Sequence, residues 1–157
     1  MSIEIERKFL LANNDWRGLG QGLRYCQGYL CSGEGRTVRV RTVADRGYIT
    51  IKGATYGISR AEYEYQIPLE DAQEMLVTLC FKPLITKIRY NIPVAGFIWE
   101  VDEFLEENSG LIVAEIELQN PEQPFFKPAW LGREVTDDPR YRNSSLVQNP
   151  YSLWKEG

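Results

Sequence analysis

Charge recurs at every second position along most of this 157-residue chain, and that repeat limits what the chain can fold into. In the opening stretch, Glu4, Glu6 and Lys8 share one parity, while Ile3, Ile5, Phe9 and Leu11 share the other. Side chains on an extended strand alternate faces, so the spacing predicts one charged and one apolar face. Eight strand-like stretches bounded by Gly, Pro, Asn or Asp run at about 2–11, 24–32, 36–44, 47–53, 60–67, 85–92, 97–104 and 111–119. Seven repeat the division. Arg39 and Arg41 oppose Val38 and Val40, Thr50 and Lys52 oppose Ile49 and Ile51, and Glu62 and Glu64 oppose Tyr63, Tyr65 and Ile67. Further along, Lys87 and Arg89 oppose Ile88, Tyr90 and Ile92, Glu100 and Asp102 oppose Trp99 and Val101, and Glu115 and Glu117 oppose Ala114, Ile116 and Leu118. Only the second stretch has no charged pair; its polar face holds Tyr25, Gln27 and Tyr29.

A single charged face simply meets water. Seven of them, with hardly any Ser, Thr or Gln as filler, need compensation. Like charges roughly 7 Å apart along a strand repel by roughly 0.6 kcal/mol in water and roughly 2.4 kcal/mol at an effective dielectric of 20. Cross-strand ion pairs supply part of the compensation, divalent cations and a polyanion the rest.

Short links at Ser32–Gly35, Asp45–Gly47 and Val94–Gly96 favour antiparallel hairpins, and eight antiparallel strands can close into a barrel. If the charged faces point inward, the apolar faces lie outside and need helices to cover them. One helix is predicted from Pro68-Leu69-Glu70-Asp71 to about residue 81, with Leu69, Ala72, Leu76, Leu79 and Cys80 on one face. A helical turn is expected within 15–20, and others after Asn143-Ser144 and around 151–154. The expected fold is mainly β (α+β): an eight-stranded antiparallel closed β-barrel, a tunnel with a charged interior and flanking helices, in a single domain over 1–157.

Composition narrows the chemistry. No histidine is present, which removes Ser-His and Cys-His pairs, imidazole bases and His-ligated zinc. Cys26, Cys31 and Cys80 form no CxxC pair and read as small buried residues. A net charge of −4 gives no reason to expect nucleic acid. With neither a spanning apolar run nor a signal-peptide layout, the expectation is no membrane and a cytoplasmic address. Ser32-Gly33-Glu34-Gly35-Arg36-Thr37 lacks phosphate-loop spacing and reads as a hairpin turn. Trp16, Trp99, Trp130 and Trp154 read as core or covering residues.

Lys8, Arg39, Arg41, Lys52, Lys87 and Arg89 offer donors suited to phosphate oxygens. The carboxylates Glu4, Glu6, Glu62, Glu64, Glu100, Asp102, Glu115 and Glu117, without nitrogen or sulfur ligands, suit hard ions such as Mg²⁺ or Mn²⁺. Together they describe a metal-bridged polyphosphate.

Taken in order, Glu4-x-Glu6-x-Lys8, Arg39-Val40-Arg41, Lys52, Arg60-Ala61-Glu62-Tyr63-Glu64, Lys87-Ile88-Arg89 and Glu115-Ile116-Glu117 resemble the CYTH superfamily, the triphosphate tunnel metalloenzymes, over residues 2 to about 120. The tail Asp138–Asn143 is similar to the C-terminal part of compact bacterial members. The resemblance implies an eight-stranded tunnel and, for short bacterial members, metal-dependent hydrolysis of inorganic triphosphate. By position, Lys8, Arg39, Arg41, Lys52, Lys87 and Arg89 would grip the substrate. Glu4, Glu6, Glu115 and Glu117 would hold Mg²⁺ or Mn²⁺, with Glu62, Glu64 and Asp102 assisting. Glu100 and Lys155 receive no role. The proton acceptors left open are Glu4 or Glu6, Lys8 with Tyr29, and Lys87 beside Arg89. Class IV-type adenylate cyclisation and non-catalytic polyphosphate or nucleotide binding stand as alternatives.

Overall fold

The computed structural model describes residues 2–154. Its strands are β1 (Ile3–Leu11), β2 (Gly22–Cys31), β3 (Arg36–Val43), β4 (Arg46–Tyr56), β5 (Ser59–Ile67), β6 (Ile85–Val94), β7 (Phe97–Phe104), β8 (Ile112–Glu117) and β9 (Leu131–Glu134). Helix α1 spans Leu69–Thr78 and α2 spans Asn143–Gln148. The sheet order is β5-β4-β3-β2-β6-β7-β8-β1-β9, and a further β5–β1 pairing closes the first eight strands into an antiparallel barrel. Each predicted stretch became a strand, because short turns and strict alternation fix register when one face must be buried. Within the Ser32–Thr37 segment, residues 32–35 form the hairpin turn, with Gly33 and Gly35 at φ 96° and 77°, and β3 begins at Arg36.

Closure is uneven. One edge of β1 pairs with β8 from Glu6 to Leu10. Its other edge meets β5 only at Ile3–Ile5 and is taken over by β9 at Phe9 and Leu11. Strand β9 has no period-2 charge pattern and was not anticipated.

Three apolar clusters flank the charged interior. On the outer face of β1, β6, β7 and β8, Trp99 meets Phe9, Phe125 and Trp130 edge-on at 5.6, 5.7 and 5.9 Å between ring centroids. The cover here is irregular chain rather than helix: residues 15–18 form a turn that inserts Trp16, and Trp130 comes from the segment before β9. Over Val40 and Ile49 lies α1, burying Ala72 and Leu76. Gly47 permits this approach, since a Cβ there would stand 2.7 Å from the Ala72 Cβ. The helix stops at Thr78, so Leu79, expected on its buried face, is 64% exposed. Among the described residues no helix covers Ile51, Tyr63 and Tyr65, which are exposed on the outside of β4 and β5.

The third cluster corrects the idea of a lining charged throughout. Leu10, Ile85, Phe104 and Val113 have the same parity as the charged residues of their strands but lie beyond them, Leu10 and Phe104 on the C-terminal side and Ile85 and Val113 on the N-terminal side, and Tyr29 joins them from the uncharged face of β2. They pack with Tyr141, Leu146 and Val147 of the tail and fill that end of the interior with apolar side chains. Cys80 is buried under α1, Cys26 and Cys31 are half-buried, and all three are free thiols. Among the described residues no helix is long and apolar enough to cross a membrane. Lys155 lies outside the described residues.

Candidate active site

The polar part of the interior is a cavity of about 260 Å³. Its lining has eight cationic side chains (Lys8, Arg39, Arg41, Lys52, Arg60, Lys87, Arg89, Arg142) and seven carboxylates (Glu4, Glu6, Glu62, Glu64, Glu100, Glu115, Glu117). Tyr29 also reaches it.

On the β3–β5 side, cations are arranged around Glu64. Its Oε2 accepts from Thr50 Oγ1 at 2.7 Å, Arg41 Nη2 at 3.1 Å and Arg39 Nη2 at 3.4 Å. Burial and the neighbouring Arg39 guanidinium lower the Arg41 pKa. The Nε atoms of both arginines are buried without a partner among the described residues, which is costly unless a ligand or water supplies one. Lys52 bridges the barrel closure, with Nζ 3.1 Å from Glu4 and 3.3 Å from Glu62.

Across the cavity, Asp102 is fully buried and anchors two cations. Arg89 donates to both its oxygens, at 2.7 and 2.9 Å, and Lys87 Nζ lies 2.8 Å from Oδ2. Asp102, expected to assist the metal carboxylates, is not among the residues lining the cavity, and its oxygens are engaged by Lys87 and Arg89. Lys87 Nζ also donates to Asn143 Oδ1 at 3.0 Å. Burial lowers the Lys87 pKa to about 8, with Arg89 acting the same way and Asp102 opposing. Lys8 is different. Although burial opposes it, Glu115, Glu6 and Asp102 raise its pKa; its Nζ donates to the Tyr141 carbonyl at 2.9 Å and sits 3.4 Å from Glu115.

Carboxylates crowd the β1, β7 and β8 wall. Glu6 stands directly opposite Glu117, and Glu100 opposite Glu115, pairings that destabilise a sheet unless a cation joins them. Burial, then Glu115 and Glu4, pushes the Glu6 carboxyl well above its usual range, and burial raises Glu4 as well. Glu115 is instead held far below that range: burial opposes this, but Lys8, Arg89 and Lys87 prevail. Among the described residues no three acidic groups meet within ligating distance, since several are drawn onto lysines and arginines. The donor set nonetheless fits a hard divalent cation, being all oxygen, like-charged and opposed in register.

The sequence reading missed Arg60, Thr37, Arg142, Asn143 and Ser144, and gave Glu100 no role. Arg60 shares its parity with Glu62 and Glu64 and was legible by the same rule. Arg142 and Asn143 were not, because they arrive on a segment with no repeat to read.

Comparison with known proteins agrees with this geometry. A family model described as the CYTH domain matches residues 2–150. The chain is 53% identical to the inorganic triphosphatase of Acetivibrio thermocellus over 156 residues, covering 99% of this chain and 100% of that protein. It is 35% identical to the inorganic triphosphatase of Nitrosomonas europaea over 148 residues, covering 92% and 96%. A crystal structure of an inorganic triphosphatase superposes with a TM-score of 0.67 at 32% identity, covering 100% of this chain and 99% of that one. With a family match over residues 2–150, a span that includes every strand of the barrel, the chain belongs to the CYTH family.

Proposed function

We propose that this protein is a divalent-metal-dependent hydrolase that cleaves the terminal phosphate of inorganic triphosphate held inside the barrel. The observation that carries the reading is the near balance of eight cations and seven carboxylates around one small cavity. Such a lining repels a bare polyanion from its acidic wall and accepts one that brings cations with it. Mg²⁺ or Mn²⁺ would be held by Glu4, Glu6, Glu115 and Glu117, with Glu62 and Glu64 nearby. Held by these carboxylates, a divalent cation would supply charge to offset the phosphate oxygens and would make a nearby water more acidic.

The protein's own side chains do the rest. Arg39, Arg41 and Lys52 on one wall and Arg89 on the other hold the phosphates in line and stabilise charge on the leaving oxygen. Lys8, kept protonated by Glu115 and Glu6, serves as a further grip rather than a base. Lys87 is the proton acceptor we favour: Asp102 and Asn143 hold its Nζ, and burial brings its pKa near working pH. Tyr29 lines the cavity beside this group, its hydroxyl 3.4 Å from Gln27 Nε2. The free thiols accord with a cytoplasmic setting.

The test is product analysis with inorganic triphosphate, ATP and thiamine triphosphate in Mg²⁺, Mn²⁺ or chelator. Phosphate from inorganic triphosphate, lost on chelation, is expected. Pyrophosphate with cyclic AMP from ATP, or saturable binding with no product, would overturn hydrolysis. The pH dependence follows from Lys87: Nζ is an ammonium below about 8 and a free amine above it. Activity as kcat/KM, which reports the free enzyme, should rise with pH to a plateau with a midpoint near 8, and Lys87→Met should remove that limb.

A further inference from the structure

One strand of the barrel carries no charge inward, and its neighbours explain why. The sheet order runs β3-β2-β6, so β2 lies between the strand carrying Arg39 and Arg41 and the strand carrying Lys87 and Arg89. Register puts Tyr25 directly opposite Lys87 on β6 and diagonal to Arg89. On its other edge Tyr25 pairs with Val43, which makes it diagonal to Arg41. Diagonal neighbours on one face are within reach of long side chains. All three cations meet the Tyr25 ring: the Arg41 and Arg89 Cζ atoms lie 5.1 Å from its centroid and Lys87 Nζ lies 5.9 Å away.

We propose that Tyr25 is a positioning residue whose ring holds Arg41, Arg89 and Lys87 in the geometry that receives the substrate, without neutralising them. The ring quadrupole attracts cations but carries no net charge. A carboxylate here would compete with phosphate for the same donors; a lysine or arginine would add to the repulsion among them. An aliphatic residue would leave Arg41 to Glu64, Arg89 to Asp102, Glu100 and Glu115, and Lys87 to Asp102, Asn143 and the Phe104 ring; of these four carboxylates, three lie in the cavity itself. Tyr25 does not line the cavity, so it acts through the cations it touches.

The inference rests on the triphosphatase reading for its kinetic test and on nothing but the fold for its spectroscopic one. Tyr25→Leu should raise KM for inorganic triphosphate about tenfold, since the main loss is in how Arg41 and Arg89 grip the phosphates, with kcat within about threefold because Asp102 and Asn143 still hold the Lys87 Nζ. Tyr25→Phe, which keeps the ring, should restore KM. In proton–carbon spectra the δ-methylene protons of Arg41 and Arg89 should be displaced upfield by the ring in the wild-type protein and in Tyr25→Phe, and return to ordinary positions in Tyr25→Leu. Tyr25→Met serves if the leucine variant does not fold. An unchanged KM in Tyr25→Leu, a phenylalanine variant as impaired as the leucine one, or the absence of ring-displaced protons in the wild type would overturn the proposal. A wild-type protein that releases no phosphate would overturn the functional reading alone, and the proton shifts would still decide the role of Tyr25.

Discussion

Arg39→Ala and Glu4→Gln should each lower phosphate release from inorganic triphosphate by about 10²–10³-fold or more, while far-UV circular dichroism stays that of the folded barrel. Arg39 is 8% exposed, shares the Thr50–Glu64 group through Nη2, and has a buried Nε with no partner among the described residues. A phosphate oxygen arriving beside it meets a donor set already fixed in place, and that preorganisation is what truncation removes. Glu4→Gln removes the charge and turns one of the two oxygens that accept from Lys52 Nζ into a donor. It keeps the side chain's shape near Lys52 but withdraws one of the carboxylates that would hold the cation, and it leaves the site more positive. Turnover near the wild-type rate in both variants would contradict a reaction inside the barrel.

Asp102→Ala should be the most destabilising single substitution in the site. The side chain is fully buried and pairs with two cations, and removing one partner of a buried pair leaves the other charges uncompensated, at about 3–5 kcal/mol. For a chain of this size that corresponds to a fall in Tm of about 6–20 °C. The pH dependence has a definite sign. Burial works against the Asp102 carboxylate, but Arg89 and Lys87 overcome it and hold its pKa below 3.8. Its contribution is therefore complete above 3.8 and is lost only as pH falls through the lower folded-state value. Thermal melts of Asp102→Ala and wild type should consequently converge at strongly acid pH and differ most near neutrality.

These residues also show how much the sequence could reveal. Parity alone picked out Glu4, Glu6, Arg39, Arg41, Lys52, Lys87, Arg89, Glu115 and Glu117 as one lining, because a strand's period of two leaves each residue only two directions. Parity could not separate Asp102 from Glu100. Both point inward, and only the depth reached along β7, set by barrel tilt and stagger, puts Glu100 in the cavity and Asp102 beneath the cations. Nor could it find the apolar plug. Leu10, Ile85 and Val113 continue the inward parity, but their role depends on Tyr141, Leu146 and Val147 arriving from a distant, non-repeating tail. Leu79 failed for a local reason, since α1 ends before reaching it.

The shared edge of β1 has its own consequence. Among the described residues only Ile3–Ile5 are in register with β5, so the barrel is sealed there by three register pairs, the Glu62 amide on the Ser2 carbonyl, the Glu6 amide on the Ile58 carbonyl, and the Lys52 bridge from Glu4 to Glu62. Ligand groups gripped by Lys52 and by the carboxylates of β1 would span that same join. Substrate held this way would act as a stitch across the weakest line of the cylinder and would make the loaded barrel mechanically a different object.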